Sequence, residues 1–90
     1  MGRSSAEQAL QNRASIVEIA SRLFRERGIE AVSVADVMAA AGMTVGGFYK
    51  HFASKEALVD EAVALAFGIL LGLLAGFLRW LDGPLMRVMD

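Results

Sequence analysis

The chain contains no cysteine, one histidine and one proline in 90 residues. Without cysteine, neither a disulfide framework nor a thiolate metal site can form, and a reducing cytoplasm is the expected compartment. The lone histidine, His51, cannot hold a metal ion by itself. The sequence therefore predicts no structural metal.

Residues that catalysis usually requires are equally scarce. There is no glycine-rich phosphate loop between a strand and a helix, and no pair of carboxylates in an apolar setting. With a single histidine and no cysteine, little remains to act as nucleophile or as general acid and base. We expect no enzyme, no catalytic residue and no cofactor.

Charge is present but unevenly divided. Residues 1–55 carry seven basic and five acidic side chains, a net charge of +2, whereas residues 56–90 carry two basic and five acidic ones, a net charge of −3. At 56% hydrophobic and 21% charged residues, the short chain predicts one small domain. The basic half is compatible with a nucleic-acid partner, although +2 is too weak to indicate one unaided.

The most informative stretch is residues 33–52, SVADVMAAAGMTVGGFYKHF. Ser33 can cap a helix, and Asp36 three residues later completes a variant capping box. Gly42 stands where a left-handed residue ends a helix. Between them, apolar residues recur on one helical face: Val34, Val37, Met38 and Ala41. The pattern predicts a short helix followed by a tight turn.

A second helix is predicted over residues 45–52, with Thr44 at its N-cap. Its buried side is expected to consist of Val45, Phe48 and Phe52. The outward face then contains Thr44, Gly46, Gly47, Tyr49, Lys50 and His51. Two such helices form a helix-turn-helix, whose second helix enters the DNA major groove. An ordinary helical hairpin is the alternative.

Adjacent glycines make this second helix locally unfavourable, by on the order of 1 kcal/mol each relative to alanine. Bare backbone at Gly46 and Gly47 would let the start of the helix approach a phosphate or a base edge closely. The free N–H groups and the positive end of the helix dipole favour an anion there.

The run from Gly28 to Glu56 resembles the N-terminal DNA-binding domain of TetR/AcrR-type transcriptional repressors. The residues that carry the resemblance are Gly28, Ser33, Val34, Ala41, Gly42, Tyr49, His51, Phe52, Ser54, Lys55 and Glu56. The segment TVGGFYKHFASKEAL is similar to one subgroup of that family at almost every residue. The resemblance covers roughly residues 10–70 and implies DNA binding.

The same resemblance implies roles for individual residues. Lys55 at a helix start would meet the DNA backbone, and Tyr49 and His51 would contact phosphates or sugars. Bases or flanking phosphates would be touched by Thr44, Val45, Gly46, Gly47 and Lys50. Ser33 completes the set of candidate DNA contacts. Arg22, Arg25 and Arg27 are weaker candidates, because arginines beside glutamates more often form a solvated face.

The rest of the chain is expected to support this motif. Residues 1–9 comprise an N-terminal arm and the start of helix one, which should run from about Ala6 to Arg27 with Ser4 or Ser5 as its cap. Gly28 ends it. Its buried stripe is predicted to be Ile16, Ile19, Ala20, Leu23 and Phe24. Ser54 should cap a further helix that begins at Lys55.

The 17 residues Ala62–Leu78 contain no charge and no strongly hydrogen-bonding side chain. Three interpretations remain open: a family helix left over in a truncated chain and covered by a second copy, a membrane span with a ridge of small residues, or an altered reading frame without a selected role. Gly68, Gly72 and Gly76 predict a break unless tight contacts hold the helix straight, and Gly83 with Pro84 should end the apolar segment.

These observations predict an all-α fold, a homeodomain-like three-helix bundle with a helix-turn-helix followed by a fourth long apolar helix. Residues 10–70 would form the DNA-binding domain and residues 71–90 a truncated apolar tail. The resemblance implies a cytoplasmic, repressor-type homodimer that places residues 45–52 in the major groove of a palindromic operator, and a chain this short would lack the family's small-molecule effector site. The alternative is a small membrane-associated or protein-interaction module that uses Ala62–Leu78.

Overall fold

The computed structural model describes residues 2–89, with the side chains of residues 5–83, and this part of the chain contains only helices and their connections. The elements in chain order are α1 (Gly2–Arg27), a 3₁₀ turn (Ile29–Ala31), α2 (Val34–Ala40), α3 (Val45–Phe48) and α4 (Lys55–Met89). Helix α1 packs against α2 and α4, and α2 packs against α3. The predicted all-α bundle with a helix-turn-helix and a long fourth helix is confirmed.

One hydrophobic core joins all four helices. Its buried members are Ile16, Val17, Ala20, Leu23, Phe24, Val32, Val37, Met38, Phe48, Phe52, Leu58 and Ala62. The stripe predicted on α1 is therefore confirmed in the main, although Ile19 is only partly buried and Val17 was missed. Among the residues whose side chains the structure describes, Ser21 is the buried polar one, and its hydroxyl accepts a hydrogen bond of 2.6 Å from Arg25.

Helix α1 begins earlier than predicted. It starts at Gly2 and not near Ala6, so Ser4 and Ser5 lie within the helix and do not cap it. Neither glycine nor proline interrupts residues 3–27, and pairs four residues apart, such as the 2.9 Å bond from Gln8 to Asn12, support the first turns. The expected arm is thus helical from residue 2, while Met1 and the side chain of Arg3 lie outside the described part.

Both ends of α2 are closed as the sequence predicts. The Ser33 hydroxyl accepts from the Asp36 amide at 3.0 Å, and the Ser33 amide donates to the Asp36 carboxylate at 2.9 Å, which completes the capping box. At the other end Gly42 has φ +71°, its amide donates to the Ala39 carbonyl, and the Met43 amide donates to the Met38 carbonyl. This bond pattern is a Schellman motif.

Helix α4 begins as predicted, with the Ser54 hydroxyl accepting from the Ala57 amide at 3.1 Å. It then continues for 35 residues, through Gly68, Gly72 and Gly76 and also through Gly83 and Pro84. The break expected at the glycines in the absence of tight contacts is therefore wrong, because the helix continues although residues 67–80 are exposed within this chain. Leucine and alanine between the glycines are strong helix formers, and the single proline removes one intrahelical hydrogen bond without preventing helix on either side.

Only the first three turns of α4 contribute to the bundle. Leu58 and Ala62 are buried and Leu65 packs on the core, whereas the large apolar side chains from Phe67 to Trp80 are exposed within this chain. Among the described residues, one helix, over Lys55–Gly83, is long and apolar enough to cross a membrane by length and composition. Because only 6% of its most apolar stretch is buried here, this surface has to be covered by something else.

The positive φ of Gly42 yields a stability prediction. An added Cβ at Gly42 would meet nothing within 4 Å, so a substitution acts through the backbone and not through a clash. Gly42→Ala should lower the free energy of unfolding by about 1–2 kcal/mol, the usual cost of a left-handed conformation for an L-residue. Urea unfolding measures this change.

Gly42→Asn is the matched control, because asparagine adopts the left-handed region more readily than alanine. It should lose clearly less stability than Gly42→Ala. Equal losses in the two variants would show that the backbone conformation at Gly42 is not the cause.

Candidate nucleic-acid interface

The second helix of the motif is shorter than predicted. Helix α3 comprises the four residues Val45–Phe48, and tight turns replace the expected helix as far as Phe52. The Lys50 and His51 amides donate to the carbonyls three residues before them, whereas the Phe52 amide donates to Phe48 at 3.1 Å in the α-helical pattern. Two glycines in so short a helix weaken it, and the chain tightens into 3₁₀-type bonds.

Two phenylalanines hold this element in the bundle. Phe48 is completely buried and Phe52 is nearly so, and their rings stack with centroids 5.3 Å apart. The expected burial of Val45 is wrong, since this side chain is 45% exposed. Val45 is the first residue of a helix of only four residues, so the spacing of a continuous helix over residues 45–52, on which its burial was predicted, does not apply. Its exposure keeps it among the candidate DNA contacts.

The outward side of the motif is open to solvent. Thr44, Val45, Gly46, Tyr49 and Lys50 are all exposed, and they occupy the start of α3 and the turn that follows it. Tyr49 is 63% exposed and rests the edge of its ring against Phe48, with centroids 5.0 Å apart. Five of the predicted contact residues are therefore presented together on one short, anchored segment.

Thr44 occupies the predicted N-cap position of α3, but its side chain makes no capping hydrogen bond. Its extended backbone instead places the Thr44 carbonyl to accept from the Gly47 amide at 3.1 Å. The hydroxyl is consequently not engaged at the helix start. A hydroxyl in this position can donate to or accept from a nucleic acid.

The two glycines differ in what surrounds them. A Cβ at Gly46 would meet nothing within 4 Å, whereas a Cβ at Gly47 would lie 3.7 Å from the Thr44 hydroxyl oxygen and 3.9 Å from the Met38 methyl. Gly46 thus offers its backbone to the open side, and Gly47 faces the protein. A close approach of a ligand to bare backbone is possible at Gly46 in particular.

The remaining candidates lie at the margins of this surface. His51 is half-buried, and its ring lies 6.3 Å from that of Phe52. Lys55 is the first residue of α4, and its ammonium group donates to the Ile29 carbonyl at 2.8 Å. Ser33 is exposed and engaged in the capping box of α2. Lys55 therefore ties α4 to the 3₁₀ turn, and its ammonium retains two further donors.

The arginines at the end of α1 mostly serve their own helix. Arg22 faces Glu26 at 4.0 Å in an exposed pair four residues apart, and Arg25 donates to the buried Ser21 hydroxyl. Such pairs were expected for this helix. The structure gives these arginines local partners, and the candidate surface is centred on α3.

A contact that sequence reasoning missed connects α1, α4 and the end of the motif. The Arg13 guanidinium donates two hydrogen bonds to the Glu61 carboxylate, and its central carbon lies 4.5 Å from the centre of the Phe52 ring. Residues 48 positions apart on two different helices form this pair, so no periodicity within either helix could reveal it. The bidentate geometry and the cation–π contact both favour arginine over lysine.

Two carboxylates in this region are stabilised in their charged form. The hydrogen bonds from Arg13 lower the pKa of Glu61 and, reciprocally, raise the pKa of Arg13. The amide and hydroxyl of Ser33 lower the pKa of Asp36. Both carboxyl groups are therefore ionised at neutral pH in the folded chain, and each stabilises the junction that it closes.

No three His, Cys, Asp or Glu side chains in the described part of the chain form a cluster that could hold a metal ion. The chemistry that the α3 surface offers is hydrogen bonding by a hydroxyl, a phenol and backbone amides, together with one exposed ammonium group at Lys50. This combination suits phosphate oxygens and base edges.

Comparison with known proteins agrees with this arrangement. The family model for bacterial regulatory proteins of the tetR family matches residues 16–62, which include the motif and the helices that hold it. No solved structure gives a significant match.

Named relatives are transcriptional regulators of bacteria. The repressor KstR2 of Mycobacterium tuberculosis is 39% identical over 85 residues, which cover 94% of this chain and 37% of that protein. The regulator TtgR of Pseudomonas putida is 42% identical over 60 residues, 67% of this chain and 29% of TtgR. The regulator AcrR of Shigella flexneri is 36% identical over 61 residues, 68% of this chain and 28% of AcrR. The chain thus spans little more than a third of the length of KstR2 and less than a third of the other two.

The Arg13–Glu61 pair should make the free energy of unfolding depend on pH in the acid range. Because the folded-state pKa of Glu61 lies below its ordinary value of 4.5, the stabilisation is complete above that pH and is lost as the pH falls through the folded value. Glu61→Gln should therefore flatten the fall in the free energy of unfolding as the pH is lowered below about 5. Both side chains are 38% exposed, so the difference at neutral pH should not exceed about 1 kcal/mol.

Urea unfolding at a series of pH values measures this dependence. Glu26→Gln removes an exposed carboxylate whose partner is 4.0 Å away, and it serves as the control that should retain the parent's acid slope. If the parent and Glu61→Gln lose stability in parallel down to pH 2, the pair does not stabilise the fold.

Proposed function

Because this chain belongs to the TetR family of bacterial regulatory proteins, we propose that it acts as a sequence-specific, repressor-type transcriptional regulator through a DNA-binding domain at residues 10–70. The observation that carries the proposal is the exposed surface of Thr44, Val45, Gly46, Tyr49 and Lys50 on an element anchored by two buried rings. A rigidly held, hydrogen-bonding segment of this size fits a major groove.

The exposed residues suit different parts of the duplex. Lys50 and Tyr49 can meet phosphates, with Lys50 supplying the charge and Tyr49 a phenol hydroxyl. Thr44 and Val45 can reach base edges, where the valine methyls fit a thymine methyl and the threonine hydroxyl pairs with an acceptor or donor. Gly46 permits the backbone itself to come close.

Flanking contacts would fix the register. His51 and Gly47 lie at the inner margin of the surface, and Lys55 and Ser33 stand at the starts of α4 and α2. In this proposal the Lys55 ammonium group donates one hydrogen bond to the DNA backbone while it keeps its hydrogen bond to the Ile29 carbonyl. Such contacts position the protein without reading sequence.

One reading element, the segment of residues 44–50 that presents this surface, can neutralise about three or four phosphates, which leaves binding weak at physiological salt. The proposal therefore includes a cytoplasmic homodimer on a palindromic operator, with the reading elements one helical turn apart, about 34–36 Å. The exposed apolar surface of α4 supports the dimer, since it needs a cover that a second copy could provide. Linking two readers raises affinity through effective concentration. Repression would follow from excluding polymerase.

A second candidate function uses α4 in another way. The helix is long and apolar enough to cross a membrane, and its glycines at positions 68, 72 and 76 form a ridge of small residues open to close contact. A membrane-associated or protein-interaction module would then carry the bundle at one end. Detergent dependence separates the two functions, because a DNA-binding dimer covers α4 in buffer and a membrane module does not.

The proposal predicts the outcome of selecting binding sites from a randomised duplex library. A two-fold symmetric site should be recovered, with a slope of log K against log salt steeper than the value of about −4 that one reader could give. Lys50→Ala should reduce the magnitude of the slope by about 2, because each of the two copies loses one phosphate contact, and Tyr49→Ala should weaken binding. Quantitative binding titrations at several salt concentrations measure both changes.

Arg22→Ala is the matched control for Lys50→Ala, since it removes the same charge from an exposed site on α1 whose partner is Glu26, away from both α3 and the apolar part of α4. It should leave affinity and salt slope close to those of the parent. An asymmetric site with a slope of one reader would contradict the dimer, and recovery of no site would contradict the proposed function.

The two glycines of α3 yield a further prediction. Gly46→Ala should stabilise the fold by up to about 1 kcal/mol through helix propensity, yet weaken DNA binding because its methyl group stands on the open side. Gly47→Ala places its methyl group against Thr44 and Met38, so it should lose less affinity than Gly46→Ala. Unfolding and DNA titration are measured side by side. Unchanged affinity in Gly46→Ala would show that no close approach occurs there.

A further inference from the structure

The Arg13 side chain stands between two parts of the molecule that would otherwise be separate. On one side Glu61, in the second turn of α4, accepts both of its hydrogen bonds. On the other side the guanidinium covers the ring of Phe52 at 4.5 Å. Since Phe52 is only 3% exposed, the guanidinium forms part of the wall that buries it.

A continuous row of rings leads from this point to the proposed DNA surface. Phe52 stacks on Phe48 with an interplanar angle of 26°, and Phe48 meets Tyr49 edge to face at 87°. Phe48 is completely buried and Tyr49 is 63% exposed, so the row runs from inside the bundle to its outer surface. Aromatic pairs in these two geometries are mutually attractive, so the position of one ring constrains the next.

The backbone of this segment cannot hold Tyr49 by itself. Helix α3 has four residues, two of them glycine, and the turn after it relies on bonds of 3.3 Å and 2.9 Å to carbonyls three residues earlier. A short helix of this composition is intrinsically weak. The orientation of Tyr49 therefore depends on the packing of Phe48 and Phe52.

We propose that Arg13 is a positioning residue for DNA recognition: held by Glu61, its guanidinium fixes Phe52 and, through the Phe52–Phe48 stack, the orientation of Tyr49. Arg13 itself lies on α1 and need not touch DNA. The effect of Arg13 on DNA recognition rests on the proposed function, but the coupling of Arg13 to Tyr49 is a property of the free protein. Removing Arg13 should therefore disturb Tyr49 both without and with DNA.

The first arm of the test needs no DNA. Tyr49 is the one tyrosine of the chain, so incorporation of 3-fluorotyrosine gives a single fluorine NMR reporter on the ring. Arg13→Met retains much of the side-chain length and removes the guanidinium, and it should shift or broaden that resonance. Arg13→Lys keeps the charge without the planar, bidentate contact and should shift it as well.

Arg22→Met is the matched control for this arm. Arg22 lies on the same helix, is exposed and faces Glu26, so its replacement makes the same chemical change away from the rings. Its fluorine resonance should coincide with that of the parent. If Arg13→Met is folded by circular dichroism and its resonance is also unchanged, the inference is overturned.

The second arm measures coupling on DNA by a double-mutant cycle. In the parent, Tyr49→Phe removes a hydroxyl contact and should weaken binding roughly fivefold. In the Arg13→Met background the same change should cost less than about twofold, because the hydroxyl is no longer held in place. In the Arg22→Met background the fivefold loss should persist. Equal losses in all three backgrounds would overturn the inference.

The two arms distinguish a failure of the inference from a failure of the proposed function. If no duplex is bound, the role in recognition falls together with the proposed function, and the fluorine spectra still decide whether Arg13 positions Tyr49. If DNA is bound and the cycle shows no coupling, the proposed function stands and the inference fails.

Discussion

The burial of Phe48 and Phe52 is the constraint on which the rest of this structure depends. The segment that carries them contains two glycines and only one short turn of helix, so its own hydrogen bonds would not maintain a defined shape. Two stacked rings inserted into the core give it a fixed position without using any of its outward side chains. Helix α1, capped α2 and the first turns of α4 together form the site that receives the rings.

Much of this arrangement could be predicted because the signals are local. The capping box at Ser33, the left-handed Gly42 and the cap at Ser54 each act within a few residues, and each is confirmed. The sequence failed to predict features that depend on residues far apart in the chain or on where a short helix ends. Val45 fits an inward position on a continuous helix over residues 45–52, but α3 ends at Phe48 and Val45 is exposed. The Arg13–Glu61 pair joins residues on separate helices that no periodic pattern relates.

The predicted contact residues illustrate the same division. Their order along the chain and their outward side could be predicted, and Thr44, Gly46, Tyr49 and Lys50 are exposed together. The sequence could not predict which of these residues are packed against the protein interior. The edge-to-face contact of Tyr49 with Phe48 and the different surroundings of Gly46 and Gly47 appear only after folding. With a net charge of only +2 in the first 55 residues, long-range attraction to DNA is weak. Affinity must therefore come from close, well-oriented contacts.

Helix α4 connects the reading element, whose contacts must be well oriented, with the exposed apolar surface. Its first turns are tied to the bundle by Glu61 and Lys55, so α4 and the reading element are held as one body at that end. Beyond Ala66 the bundle no longer covers the helix, and the exposed residues 67–80 remain to be covered by another surface. A partner that covers this part of α4 would therefore lie on the same helix whose first turns contact α1 through Glu61 and the 3₁₀ turn through Lys55. In the proposed dimer, the same helix that removes apolar surface from water would thereby set the separation and angle of the two reading elements.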